Sequence, residues 1–395
     1  MPIGDVREPQ ALEAALFGDL SPESTTVPTS ALIESMLLAG TGISDLIFSP
    51  GRPPQVEQHG ELIHVTTSGV TLLAPDDTRR VARDVIDGNA HALRTLADDG
   101  ACDVSYTITA LARFRVNVFR QRGSYAVVMR VIASKIPSFE ELHLPATLKE
   151  VATLKNGLVL VTGQTGSGKS STLAAVIDLI NETRAEHIVT IEDPIEFLHL
   201  HKKATVHQRE LHSDTPTFAM ALRAALRQAP KVILVGEMRD RETIEVALTA
   251  AETGHLVFST LHTIDASKTV ERVVGTFDAT EQAGIRARLA GSFRFLISQR
   301  LLPKTSGGRI AVLEILKSTL RTRDYVACGE VEGKTLLDAM RDGALDGMQC
   351  FDGEIERLVR EGVISRAVAM LYATNPGNLQ VALADVPDED SLITR

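Results

Sequence analysis

The run Gly157-Leu158-Val159-Leu160-Val161-Thr162-Gly163-Gln164-Thr165-Gly166-Ser167-Gly168-Lys169-Ser170-Ser171 constrains this chain more than any other stretch. An apolar strand pattern ends in a glycine-rich loop, and Ser171 to Ile177 then continues in helical register. The glycines reach backbone angles that a Cβ would forbid, so successive N–H groups can turn inward around a polyphosphate. The spacing of Gly163, Gly168, Lys169 and Ser170 is GxxxxGK[ST]. In such a loop the lysine brings a point charge to the β and γ phosphates of a nucleotide, and the next hydroxyl is placed to ligate Mg²⁺. The positive end of the helix that starts here adds to both. Gly163, Gln164, Thr165, Gly166, Ser167, Gly168, Lys169, Ser170 and Ser171 therefore form the candidate phosphate-binding set.

At 395 residues the chain exceeds one ordinary domain, and 44% hydrophobic with 23% charged residues is the balance of a soluble globular protein. A formal charge of -10 argues against a broad nucleic-acid-binding face. Cys102, Cys328 and Cys350 are too few and too scattered for a disulfide framework or a zinc site, and read as thiols of a reducing compartment. No apolar run is long enough to span a membrane, and Asp5 and Glu8 break any signal pattern. A cytoplasmic protein is expected, touching a membrane only through a partner.

Residues 1–28, with Ser21-Pro22-Glu23-Ser24-Thr25-Thr26 near their end, read as a loosely held tail with one short helix near Leu12 to Phe17. A helix capped by Ser30 and stopped at Gly40 follows, then a strand from Asp45 to Ser49 and a hairpin from Val56 to Val65 that pivots at His59-Gly60. Helices at 76–87 and 90–98 precede strands at 102–109, 113–120 and 125–132, which makes a small α+β domain. In the second of these strands the period is two, so Phe114, Val116 and Val118 share one face while Arg113, Arg115 and Asn117 share the other. That arginine face is also what a solvated sheet would show, whereas Arg130, inside Val127 to Ile132, calls for a specific anion.

Ser134 to Pro145 reads as an interdomain linker, and a second domain begins near Ala146. Its strands, Leu158 to Thr162, His187 to Ile191, Val232 to Val235 and Leu256 to Thr260, are continuous apolar runs of the kind found in a parallel sheet covered on both faces. From about Glu271 the pattern predicts helices at 281–301, 334–341, 352–360 and 365–372, and the last stretch, 384–395, is an acidic tail.

Each parallel strand is followed at its C-terminal end by polar residues, where open α/β sheets bind ligands. Glu192-Asp193-Pro194-Ile195-Glu196 follows the second strand, Gly236-Glu237-Met238-Arg239-Asp240 the third, and Leu261-His262-Thr263 the fourth. Phosphoryl transfer to water needs one group that orients or deprotonates the water and one that holds the metal. Glu196 and Glu237 are the carboxylates best placed for those tasks, with Ser170 and Glu237 near Mg²⁺ and His262 near the γ-phosphate.

The combination resembles the type IV pilus twitching and retraction ATPases of the type II/IV secretion ATPase superfamily, over nearly the whole stretch from Ser30 to Leu379. Gly163 to Ser170 matches the Walker A box, Thr190 to Glu196 the aspartate box, Ile233 to Asp240 the Walker B box, and Thr253-Gly254-His255 through His262-Thr263 the histidine box. The resemblance implies Glu196 as catalytic base, Glu237 as the acid near Mg²⁺, Lys169 as the phosphate lysine, and His255 and His262 as histidine-box residues at the nucleotide. It also implies that Arg113, Arg115 and Arg130 reach the nucleotide from the N-terminal domain. The fold it implies is α/β, a RecA-like P-loop core (146–380) with a smaller PAS-like α+β domain (29–133) and a helical C-terminal part. The activity it implies is ATP hydrolysis with Mg²⁺ by a homohexamer that acts on the inner-membrane platform protein of a pilus machine.

Two rivals stand beside a retraction motor. One is an assembly or secretion motor of the same superfamily, whose members carry a longer N-terminal region and a four-cysteine zinc element that three scattered cysteines do not supply. The other is a scaffold that binds nucleotide without hydrolysing it. Gly347-Met348-Gln349-Cys350-Phe351-Asp352 resembles the C-terminal signature of the retraction ATPases with Cys350 in place of threonine. Ahead of it, Leu320 to Glu330 matches poorly the Ala-Ile-Arg-Asn-Leu-Ile-Arg-Glu helix of the better-known retraction motor. That departure, with Glu332 to Gly343 and the acidic tail, points to the accessory PilU-type member, assisting a primary retraction ATPase.

Overall fold

The computed structural model describes residues 8–18, 27–66, 70–109, 111–132 and 135–386. The turn-former run at 21–26 and most of the acidic tail lie outside the described residues. The chain divides into two compact units, one up to Lys135 and one from Ile136.

The first unit is built on a six-stranded antiparallel sheet. Helices α1 (Pro9–Phe17) and α2 (Thr29–Leu37) lead into β1 (Ile43–Phe48), β2 (Gln55–Gln58) and β3 (Glu61–His64). Then come α3 (Pro75–Ile86), α4 (Ala90–Asp98), β4 (Ala101–Ile108), β5 (Ala112–Gln121) and β6 (Ser124–Ile132), and the strand order is β3-β2-β1-β6-β5-β4. The hairpin pivots where expected, with His59 and Gly60 both at positive φ. The alternation along β5 holds: Phe114, Val116 and Val118 are fully buried, while Arg115 is exposed.

Two expectations for this unit are corrected. Pro28, not Ser30, occupies the N-cap of α2, and the Thr29 hydroxyl donates to the Asp84 carboxylate at 2.6 Å. Helix α1 is not loose. Its Leu12 and Phe17 enter the core, the Phe17 ring lies 5.2 Å from that of Tyr125, and the Tyr125 hydroxyl donates to the Leu16 carbonyl at 2.8 Å. A weakly amphipathic nine-residue helix is marginal by itself, so its order comes from this aromatic anchor.

The second unit holds a seven-stranded sheet in the order β13-β12-β7-β11-β10-β8-β9. After the short α5 (Thr147–Val151), β7 (Gly157–Thr162) feeds the glycine loop and α6 (Lys169–Thr183). There follow β8 (His187–Glu192), β9 (Thr205–Glu210), α7 (Phe218–Ala225), β10 (Val232–Val235), α8 (Arg241–Glu252), β11 (Leu256–Leu261), α9 (Ala266–Gly275) and α10 (Gln282–Ser292). The strands β12 (Phe293–Pro303) and β13 (Arg309–Lys317) complete the sheet, and α11 (Leu320–Cys328), α12 (Leu336–Asp342), α13 (Phe351–Arg360), α14 (Arg366–Tyr372) and α15 (Pro376–Ala382) close the unit. All pairings are parallel except β12 with β13. Every residue of β7, β10 and β11 is buried, as continuous apolar strands between helical layers require.

The helix expected over 281–301 stops at Ser292, and the chain continues as β12 beside β7. A strand buried on both faces is as uniformly apolar as a buried helix, so periodicity could not separate them. Nor is 136–145 a free linker: Phe139 is buried with Leu148 and Val151, and Leu142 and Leu144 pack against the same core. Among the described residues no helix is long and apolar enough to cross a membrane.

Because Phe17 is 1% exposed and its order depends on packing, Phe17→Ala should lower the stability of the full chain by about 3–5 kcal/mol. Chemical denaturation followed by circular dichroism checks this; a shift below about 1 kcal/mol would mean that α1 is not part of the core.

Candidate active site

Strand β7 lies between β12 and β11. The chain leaves β7 for β8 on its β11 side, whereas the later crossover from β11 passes to β12 on the other side of β7, and α/β sheets bind ligands at their strand C-termini where connections diverge in this way. The glycine loop lies there. Gly163, Gly166 and Gly168 have φ of 146°, 78° and 89°, and a Cβ on Gly163 would stand 2.4 Å from the Gln299 carbonyl oxygen. Only glycine fits there, because β12 approaches too closely.

Lys169 is the first residue of α6, almost wholly buried, and its ammonium donates to the carbonyls of Gly163 at 2.8 Å and Gln164 at 3.0 Å. Burial holds its pKa below the ordinary lysine value, opposed by the negative charges of Glu196 and Glu237. Those carboxylates arrive on two neighbouring strands. Glu196 is exposed on the loop after β8, and that loop is pinned by the Ile195 N–H donating to Glu210 at 3.0 Å. The half-buried Glu192 carboxyl, pushed up by burial, accepts from Thr190 at 2.6 Å and Gln208 at 3.0 Å. Glu237 follows β10 and is held between Arg239 (Nε–Oε1 2.6 Å) and His262 (Nε2–Oε2 3.6 Å). The Thr260 hydroxyl donates to the Gly236 carbonyl at 2.6 Å and fixes the approach of that loop. Burial, and then the Lys169 charge, hold His262 below its ordinary pKa.

A cavity of about 620 Å³ opens beside Gly163 to Ser167 and extends past Ile264 and Gln299 to Arg309 and Tyr372. The fit to a nucleotide is supported by an unsatisfied buried Ser167 hydroxyl oxygen and by three loop glycines at positive φ, a conformation in which successive N–H groups can turn inward to an anion. Ser170 and Glu237 offer oxygen donors of the kind Mg²⁺ takes together with substrate phosphates. Among the described residues no cluster of three or more His, Cys, Asp or Glu could hold a metal by itself.

Not every expected residue joins the site. His255 precedes β11, and its carbonyl accepts from Gly157 N at 3.0 Å, so it stands at the opposite edge of the sheet from the loop. Five strand residues separate the edges, roughly 16 Å. Within one subunit His255 is therefore not a nucleotide ligand. Arg113, Arg115 and Arg130 lie on the exposed side of the first unit, with Arg115 and Arg130 directly opposite each other across β5 and β6. The anion that Arg130 calls for is found within its own unit, the buried Asp45 carboxylate at 2.9 Å. Arg113 donates to the Thr107 hydroxyl at 3.3 Å.

The type II/IV secretion system protein family matches residues 81–335. Over 341 residues the chain is 45% identical to the type IV pilus retraction ATPase PilT of Pseudomonas aeruginosa, covering 86% of this chain and 97% of that protein. This chain belongs to the type II/IV secretion ATPase family. Identity to the type IV pilus ATPase PilU of Pseudomonas aeruginosa is 38% over 359 residues, 90% of this chain and 92% of that protein. The crystal structure of the pilus retraction motor PilT with bound ADP superposes with a TM-score of 0.78 at 41% identity, covering 89% of this chain and 98% of that one. The α/β fold with its mixed sheet is thus that of these secretion ATPases.

Sequence reasoning missed Gln299, which the expected helix over 281–301 concealed. This buried amide donates to the Ser167 carbonyl at 2.8 Å and accepts from the Thr172 hydroxyl at 2.7 Å, tying the loop to the first turn of α6. Gln299→Leu should weaken ADP binding by about tenfold, since both buried partners lose their bonds. Equilibrium titration with a fluorescent ADP analogue checks this, and unchanged affinity would show that the loop holds its shape unaided.

Proposed function

We propose that this chain is an ATP-hydrolysing motor that withdraws a type IV pilus, working as a homohexameric ring on an inner-membrane platform protein at the cytoplasmic face. The observation that carries this reading is 45% identity to a retraction ATPase across nearly its full length, with Glu196, Glu237 and His262 converging on the lysine of the phosphate loop. In this reading Lys169 leaves the Gly163 and Gln164 carbonyls for the β and γ phosphates. The exposed Glu196 carboxylate accepts the proton of the attacking water. Ser170 and Glu237 would hold Mg²⁺, which neutralises charge gathering on the phosphate oxygens. His262 donates a hydrogen bond near the γ-phosphate. Arg113, Arg115 and Arg130 act on the nucleotide as the family's arginines do, Arg130 exchanging Asp45 for phosphate.

Glu196→Gln is the direct test, because amide and carboxylate share a shape but only the carboxylate takes the proton. Nucleotide binding should survive while turnover falls roughly 10²-fold or more. Turnover above about a tenth of the parent rate would remove Glu196 as the base. Arg115→Ala and Arg130→Ala should both lose turnover while still folding and assembling, and parental rates in both would return these side chains to a solvated surface.

One observation favours the accessory role within this function. Identity to PilU, 38%, and to PilT, 45%, does not separate the two, but Leu320 to Glu330 matches poorly the Ala-Ile-Arg-Asn-Leu-Ile-Arg-Glu helix of the better-known motor. An exposed face that couples ring motion to a partner acts through its own side chains, so this departure alters coupling and leaves the distant ATP site intact. In cells that lack the primary retraction ATPase but keep this protein, withdrawal under load should be weak. Full-strength withdrawal there would make this chain a self-sufficient motor.

A further inference from the structure

A carboxylate that the mechanism does not use lies buried behind the phosphate loop. Glu314, in the middle of β13, is 4% exposed, and its Oε1 accepts the Ala266 N–H at 2.7 Å and the Ser298 hydroxyl at 3.4 Å. Ser298 in turn accepts from Thr162, the last residue of β7 before the loop, at 3.1 Å. One carboxylate oxygen thus joins the N-terminus of α9 to the root of the phosphate loop.

The segment just before Ala266 is the one that bears His262. It is fastened at a second point, where Thr263 meets Thr269 at 2.7 Å. Because Thr269 donates to the Asp265 carbonyl at 2.7 Å, Thr263 supplies the proton of that pair. Between these two fastenings Ile264 turns outward and lines the cavity beside Gly163 to Ser167. The loop is therefore a wall of the phosphate site, held from beneath by Glu314 and from within by Thr263.

We infer that Glu314 is a positioning residue for His262: its carboxylate fixes the loop from His262 to Ala266, and through it the imidazole, against the phosphate site. This rests on the proposed part of His262 in hydrolysis. An ionisable group is costly in such a core, and an apolar residue of similar size would avoid the cost. Burial pushes the Glu314 carboxyl up to about 7, and Asp265 adds to the rise while the Ala266 N–H and Arg300 oppose it. A group kept under that penalty beside a reacting centre is better explained by the loop it holds than by packing.

The test uses the full chain and two readouts, ATP turnover and affinity for ADP, with the parent turnover measured first. Glu314→Ala should lower kcat by about tenfold, the effect of losing one buried hydrogen-bond acceptor, with KM and ADP affinity within about twofold of the parent. Glu314→Gln keeps an acceptor oxygen and should recover most of that loss. In a His262→Ala background, Glu314→Ala should cost nothing more, because the two act through one loop. Parental turnover in Glu314→Ala, an equal further loss without His262, or a fall in ADP affinity in step with kcat would each overturn the proposal. If Glu314→Ala does not fold, Thr263→Val decides, since it frees the same loop from its other fastening. A severalfold loss of kcat with ADP affinity kept supports the inference, and parental kcat overturns it. A parent chain without turnover defeats the hydrolysis reading and this inference together.

Discussion

Gly163 stands against the backbone of Gln299 so closely that no side chain could be placed between them, and much of the second unit depends on that contact. It requires β12 to run beside β7 and fixes where the phosphate loop leaves the sheet. Gln299 then binds the loop at Ser167 and the first turn of α6 at Thr172, so sheet, loop and helix form one braced piece. Lys169 is buried at their junction, its charge shared between two loop carbonyls. Removing a few kcal/mol of strut here reshapes an anion site, whereas a loss of similar size elsewhere in the core only lowers stability.

The carboxylates depend on the same arrangement at one remove. Glu196 and Glu237 stand after the adjacent strands β8 and β10, so parallel register brings both to the edge where the loop lies. His262, after β11, meets Glu237 for the same reason. Their charges offset the burial of Lys169, while burial, and then the lysine charge, lower the pKa of His262. The chemistry of the site is therefore a consequence of strand order as much as of residue choice.

That logic also explains what could be read from the residues alone. The apolar runs of β7, β8, β10 and β11 name a parallel sheet, and residues that follow such strands fall at one edge, which made Glu196, Glu237 and His262 legible. His255 comes before its strand, not after it, and that position was the available signal that it belongs to the other edge. Alternation made β5 legible, because one of its faces is solvated. It could not reveal β12, whose two faces are both covered, and Gln299 and Glu314 were hidden with it and its neighbour β13. Asp45 as the partner of Arg130 was out of reach because the register of β1 on β6 joins residues 85 apart.

The central claim is that the braced loop and its ring of carboxylates turn over ATP instead of merely holding it. Steady-state phosphate release by the purified full chain, with ATP and Mg²⁺ present and then with the Mg²⁺ chelated, measures this directly. The account predicts saturable release that stops when Mg²⁺ is removed. Tight nucleotide binding without phosphate release would contradict it and make the chain a nucleotide-binding scaffold.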